Sequence, residues 1–436
     1  MSTQTSEQLA IAGGPQAVCG IEQRPWPEIV QADRDAVLRV LDSGILAGAG
    51  APEITALERE YAEYVGVQYC LATKSGTSAL HCAAAAVGVQ PGDEVIVPAY
   101  TFVASAMAMA HQGAQVVFAD VDPRTYNLDP ERLAERITDR TTAVVAVAIH
   151  GQPANLDEIK AVAERHGLAV IEDNAQAHGI KYKGRQAGSM GDAAGSSLNA
   201  SKNLASGEGG LFTTNDEDAF IAARRLTVVG EDLVPLERRS FWAQGIGWNY
   251  RQSELPCALA RAQLARLDEH NARSEANGQR LTEQISGIAG LTPPFKEADR
   301  GCSYWKYAVQ IDPKELGFDG DPRDLRDRLL AALHAEGVEA MVWQPHPIPA
   351  QPAFRRRQQT WHRRTEQEPL RAWDPAEYPV ASRLCDITLS LGSEAKPLYV
   401  QEPELMDQYA AAVRKVMGDL ETVLSVSFEP KARRLP

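Results

Sequence analysis

The chain is short of positive charge: 44 lysines and arginines stand against 58 aspartates and glutamates, a formal net charge of −14. So acidic a molecule repels a phosphate backbone, which argues against a nucleic-acid partner. Long apolar runs are missing as well. Nothing approaches the ~20 residues a membrane helix needs, and the stretch Met1 to Gln8 lacks the basic start and apolar core of a signal peptide. A soluble, cytoplasmic protein with no membrane partner is expected. Cysteine is sparse and scattered, with Cys19, Cys70, Cys82, Cys257, Cys302 and Cys385 lacking the paired spacing of metal ligands. They read as reduced cytosolic thiols, and no metal is expected. The glycine-rich dinucleotide motif and the P-loop are absent too, which removes the nucleotide-binding α/β readings, and no internal repeat is seen. What is present is size: 436 residues, 44% hydrophobic, are enough for a sizeable core and more than one domain.

Short apolar runs alternate with longer amphipathic stretches, the pattern of a mostly parallel sheet with crossover helices. Val95-Ile96-Val97, Val116-Val117-Phe118, Ala143 to Val147 and Ala169-Val170-Ile171 are strand candidates, and Ala104 to His111 and Leu156 to His166 are helix candidates, the latter capped by Asn155. From Ser253 to about Ile285 the pattern is one long helical stretch, a bridge to a smaller α+β domain containing the strand Tyr307 to Ile311 and the helix Pro322 to Glu336. The expected division is an N-terminal arm (1–30), a large α/β domain (31–270) and a small C-terminal domain (271–436). Between Gln351 and Tyr378 the chain is rich in arginine, proline and tryptophan and reads as an irregular insertion.

Two segments carry the chemistry: Ile171-Glu172-Asp173-Asn174-Ala175-Gln176-Ala177-His178-Gly179 and the run Ser197 to Gly210. Together they fit a pyridoxal phosphate site. That cofactor needs an amine to form a Schiff base with its aldehyde and a carboxylate to keep its ring nitrogen protonated. Lys202 supplies the amine and Asp173 the carboxylate, while Ser197, five residues before the lysine, can reach the phosphate. Singly, such a lysine reads as a solvated surface residue and such an aspartate as a helix cap. Order decides between the readings, because Asp173 leaves the C-terminal end of the apolar run Leu168 to Ile171, where open α/β sheets bind ligands. Ser75-Gly76-Thr77-Ser78 opens a helix-like run from Ala79 to Val87 and offers the phosphate a helix N-terminus, with Gly76 admitting close backbone approach and Thr77 adding a hydroxyl or amide.

These segments resemble the signatures of the DegT-type sugar aminotransferases, and the resemblance runs from about Leu9 to about Val416. Further matches are Gly76 to Leu80, Val97-Pro98-Ala99-Tyr100-Thr101-Phe102, Gly247-Trp248-Asn249-Tyr250-Arg251 and Ala262 to Leu267. The resemblance implies a fold-type I, pyridoxal phosphate-dependent enzyme. It would move an amino group from glutamate or glutamine to a keto-sugar or keto-cyclitol, in amino-sugar or antibiotic biosynthesis. It also implies roles: Phe102 stacks on the cofactor ring, Gln176 bonds its hydroxyl, and Asn249 reaches the phosphate site of the other subunit of a homodimer. Arg251 either meets the donor's carboxylate or is a structural surface arginine, and His178 reads as a packed, satisfied histidine rather than a proton carrier. A sugar dehydratase of the same family would carry histidine at position 202, and a non-catalytic regulator finds no basic patch to support it.

Two stretches depart from the family pattern. In Ala148-Ile149-His150-Gly151 a histidine has moved to a neighbouring position, and Trp343 to Pro352 replaces a proline-leucine-histidine stretch that borders the acceptor pocket in relatives. With Leu9 to Pro15, the altered loop looks closer to the cyclitol and aminobenzoate branches. Arg355, Arg356, Arg357, Arg363 and Arg364 read as a solvated charged face rather than a grip on a substrate phosphate.

Overall fold

The computed structural model describes residues 8–48, 50–232, 240–356 and 370–426. The apolar runs become strands β1 (Tyr69–Thr73), β2 (Glu94–Pro98), β3 (Gln115–Ala119), β4 (Thr141–Val147) and β5 (Ala169–Asp173). After a short hairpin, β6 (Lys181–Tyr182) and β7 (Arg185–Gln186), come β8 (Ala193–Ser197) and β9 (Gly210–Thr214). Seven of them form one sheet in the order β1-β9-β8-β5-β4-β2-β3. The pairs β3–β2, β2–β4, β4–β5 and β5–β8 are parallel, and β9 runs antiparallel to both of its neighbours. Strands β2, β8 and β9 are buried along their whole length, as a sheet covered on both faces requires. β8 is built from small residues, and this lets helix Gly76–Ala86 lie close on the sheet: a Cβ at Gly195 would meet the amide nitrogen of Leu80 at 2.8 Å.

A second, antiparallel sheet, β10 (Leu291–Thr292), β11 (Tyr307–Ile311), β12 (Ala340–Met341) and β13 (Thr388–Leu391), is ordered β10-β11-β13-β12. Helices Pro322–Ala335 and Pro403–Met417 press Leu325, Leu329, Leu405 and Val413 into the core behind it, which also takes in Leu9 and Val18 from the N-terminal segment. That segment is fastened there by the buried Glu336 carboxylate, which accepts the amides of Ala10 at 2.8 Å and Ala17 at 2.9 Å and pairs with Lys415 at 2.9 Å.

Three local expectations need correction. The stretch from Ser253 to Ile285 is two helices, Glu254–Leu264 and Leu267–Ile285. The break falls where Arg266 leaves helical backbone (φ −114°, ψ 1°), its guanidinium bonding the buried Asp33 carboxylate at 2.7 Å. Asn155 stands at the cap position of helix Leu156–His166 but makes no side-chain cap bond, because its backbone (φ −73°, ψ 70°) is not the extended one that aims a capping side chain. The helix after Ser75 begins at Gly76, not Ala79: Ser75 Oγ accepts the Ser78 amide at 3.1 Å and starts the helix at once. In the arginine-rich stretch, Pro352–Arg355 is a short helix and Pro375–Glu377 a 3-10 turn, while Arg357, Arg363 and Arg364 lie outside the described residues. Among the described residues no helix is long and apolar enough to cross a membrane, and no group of three or more His, Cys, Asp or Glu is placed to hold a metal ion.

Candidate active site

A cavity of about 340 Å³ opens where β5 and β8 end, and Asp173, Ser197 and Lys202 all line it. Parallel strands deliver their loops to that edge of the sheet, so residues distant in sequence converge there. Lys202 is buried, and burial lowers its amine from the ordinary 10.5 to about 8, against the pull of the Asp173 and Glu394 carboxylates. Its Nζ lies 3.9 Å from the centre of the Trp305 ring. Three aromatic side chains hold the backbone beneath it. Trp26 Nε1 donates to the Lys202 carbonyl at 3.0 Å, and Trp305 Nε1 and the Tyr399 hydroxyl donate to the Ser201 carbonyl at 2.7 and 3.1 Å.

Asp173 is the last residue of β5. Its Oδ2 accepts the Ser105 hydroxyl at 2.6 Å and its Oδ1 the Ala175 amide at 3.1 Å. Burial pushes its carboxyl above the ordinary range, and those two bonds and the Lys202 charge oppose the rise. A carboxylate so placed is stabilised further by any cation brought to it.

Gly76 and Thr77, at the N-terminus of helix Gly76–Ala86, line the other end of the cavity with Ser197. A Cβ on Gly76 would stand 2.7 Å from Ser197 Cβ, so only glycine lets this turn lie against β8. Unpaired amides at such a helix start suit a phosphate. Phe102 lines the cavity with half of its surface (51%) in solvent, an apolar face open to a partner. Gln176 lines it as well, its Oε1 accepting the His150 amide at 2.6 Å. His178 does not line it. Its ring nitrogens are taken by the Tyr61 hydroxyl at 2.8 Å and the Ser197 carbonyl at 2.7 Å, and burial lowers it to about 4, a neutral histidine that holds Ser197 in place.

A buried amine and a buried carboxylate across one cavity, a helix start at one end and an open aromatic face meet the needs of pyridoxal phosphate. Residues 27–384 match the DegT/DnrJ/EryC1/StrS aminotransferase family. The chain belongs to that family. It is a pyridoxal phosphate-dependent aminotransferase. It is 37% identical over 330 residues to the GDP-perosamine synthase of Caulobacter vibrioides, covering 75% of this chain and 85% of that one. It is 35% identical over 338 residues to a putative L-glutamine:3-amino-2,3-dideoxy-scyllo-inosose aminotransferase of Streptomyces kanamyceticus, covering 77% and 79%. Its fold matches the crystal structure of a 3-amino-5-hydroxybenzoic acid synthase with a TM-score of 0.80 at 28% identity, over 92% of this chain and 100% of that one.

Within one chain of this aminotransferase, Asn249 and Arg251 are not brought to the Lys202 cavity. Both are exposed and line a separate cavity of about 510 Å³, where Arg251 Nε donates to Asn249 Oδ1 at 3.2 Å. Conversely, Trp26, Ser105, Trp305, Glu394 and Tyr399 belong to the site or its support and carry no sequence signal. Trp343 did carry one, since it lies in the loop that departs from the family pattern. The two departures meet: the rings of His150 and Trp343 are 5.2 Å apart, and Trp343 stands at 90° to Trp305 with centroids 5.3 Å apart.

Proposed function

We propose that this aminotransferase works as a cytoplasmic homodimer that moves an amino group from glutamate or glutamine to the keto group of a sugar or cyclitol ring. The observation that carries this reading is the buried Lys202 amine facing the same cavity as the buried Asp173 carboxylate at the strand ends. Bound pyridoxal phosphate supplies the aldehyde and the electron-accepting ring. Lys202 would hold that group and, once released by the donor, take up and return the proton of the reacting carbon at Nζ, a task for which an amine near neutrality is suited. Asp173 would keep the ring nitrogen protonated, Gln176 bond the ring hydroxyl, and Phe102 cover the ring face. Gly76, Thr77 and Ser197 would cradle the phosphate.

Asn249 would complete the phosphate site of the partner subunit, and Arg251 would meet the donor's carboxylate. The dimer reading draws support from the surface beside them, where Phe241 (66%), Trp242 (71%) and Ile246 (92%) stand exposed, an apolar patch of the kind that marks an interface. The division into an arm (1–30), a large domain (31–270) and a small domain (271–436) accords with two separate sheets joined through helix Leu267–Ile285. Free thiols at Cys70, Cys82, Cys257, Cys302 and Cys385, all buried, accord with a reducing compartment. The acceptor class rests on the relatives, whose names span a nucleotide-sugar product and an aminocyclitol.

The test is spectroscopic. Purified protein with pyridoxal phosphate should absorb near the visible edge, borohydride should fix the cofactor on the Lys202 peptide, and Lys202→Ala should lose the band on dialysis. A Lys202→Ala protein that still forms a borohydride-reducible adduct would overturn the assignment.

A further inference from the structure

Trp305 carries two ammonium groups. Lys202 Nζ lies 3.9 Å from its ring centre, and Lys306 Nζ lies 4.2 Å from the same ring. The indole is fixed by its bond to the Ser201 carbonyl, so it sets where both lysines stand. Lys306 is almost wholly buried, 3% exposed, and its Nζ makes no hydrogen bond; the Glu394 carboxylate, at 3.5 Å, is its counter-ion. Glu394 itself lines the Lys202 cavity. Burying an ammonium without satisfying its donors is costly, and an aliphatic side chain would fill the same space without that cost. The arrangement has a chemical use. A lysine beside a second cation holds its proton less firmly, and its amine is the better nucleophile and base for it.

We propose that Lys306 is a positioning residue for amino transfer: seated on the Trp305 ring it shares with Lys202, and paired with Glu394, it weakens the hold of the Lys202 amine on its proton. This rests on Lys202 being the reactive amine. The other charges facing the pair are few. Lys202 faces the Asp173 and Glu394 carboxylates, which favour its protonation, and His178, which burial keeps neutral. Lys306 faces Glu394, Lys202 and His150, the last lowered to about 3 by burial and then by Lys306 itself. Lys306 is itself lowered to about 8 by burial, with the Lys202 charge adding to the fall and the Glu394 carboxylate opposing it, so the two amines compete for protons on one ring.

The experiment uses the cofactor-free full chain, with competitive acetic anhydride labelling of lysines across a range of pH and mass spectrometry of the Lys202 peptide. The wild-type midpoint is expected near 8. Lys306→Met should raise it by about one pH unit, the scale of one neighbouring buried charge, and Lys306→Gln should do the same. Lys306→Arg keeps a permanent cation and should leave the midpoint at or below that of wild type. A folded Lys306→Met or Lys306→Gln protein that titrates as wild type overturns the proposal, as does a Lys306→Arg protein with a raised midpoint. Borohydride fixation on a lysine other than Lys202 would instead strike at the assignment of the cofactor lysine, and leave the measured midpoint shift standing.

Discussion

The indole nitrogen of Trp26 donates a 3.0 Å hydrogen bond to the main-chain carbonyl of Lys202. A residue of the N-terminal segment thus holds the backbone of Lys202, and the Trp26 ring is packed edge-on against His270 and Tyr399. Trp26→Phe keeps most of the packing and deletes the donor, leaving a buried carbonyl short of a partner. It should cost about 1 kcal/mol of stability in urea unfolding and speed the loss of cofactor on dialysis.

Removing the buried Lys202 amine should stabilise the cofactor-free fold. Folding lowers Lys202 from 10.5 to about 8, so the native chain holds that proton less tightly than the unfolded one. The resulting penalty, ~3 kcal/mol, is fully present below pH 8 and fades as pH rises from 8 towards 10.5. Lys202→Met should therefore melt higher than wild type at neutral pH in calorimetry, and the gap should close in alkaline buffer. A gap independent of pH would contradict the burial of a titrating amine.

Gly76→Ala places a methyl group 2.7 Å from Ser197 Cβ, and neither the helix start nor β8 is free to retreat. The variant should fold, with a stability loss of about 1–3 kcal/mol from overpacking, and should retain pyridoxal more nearly than pyridoxal phosphate, because the phosphate end is what moves. Comparing the affinities for the two compounds isolates that end.

Ser105→Ala removes the 2.6 Å hydroxyl donor to Asp173 Oδ2. With one fewer bond to its ionised form, the already raised Asp173 carboxyl rises further. Cofactor affinity at neutral pH should fall by about tenfold, the equivalent of one buried bond to a charged group, and should partly recover at higher pH as the carboxyl ionises. An absorbance titration at two pH values measures both.

Mixing inactive Lys202→Ala chains with inactive Asn249→Ala chains under subunit exchange should restore activity. If Asn249 acts across the dimer, each heterodimer gathers both lesions in one site and leaves the other whole. Demonstrated heterodimers without activity would return Asn249 to its own chain.

The centre of the site was legible because its signals are local. Asp173 ends an apolar run, Ser197 and Lys202 sit on one short segment, and Ser75 to Ser78 announce a helix start. The support was illegible for the opposite reason. Trp26, Trp305 and Tyr399 reach Ser201 and Lys202 from distant stretches, and each looks like any core aromatic until the chain has folded. The helix break at Arg266 was hidden in the same way, since a pairing with Asp33 accompanies it and no local residue signals it. Lys306 was not singled out in the sequence, and only the fold shows it buried against Trp305.

The bonds beneath Lys202 also set a timetable. Tyr399, the last of the three aromatic anchors, leaves the ribosome long after the strands of the large sheet. Domains fold as they emerge, so the sheet can form around a lysine segment that still lacks its fastening. The pocket is therefore finished only once Tyr399 has been made, and a ribosome-stalled chain ending before it carries Lys202 on a loosely held loop.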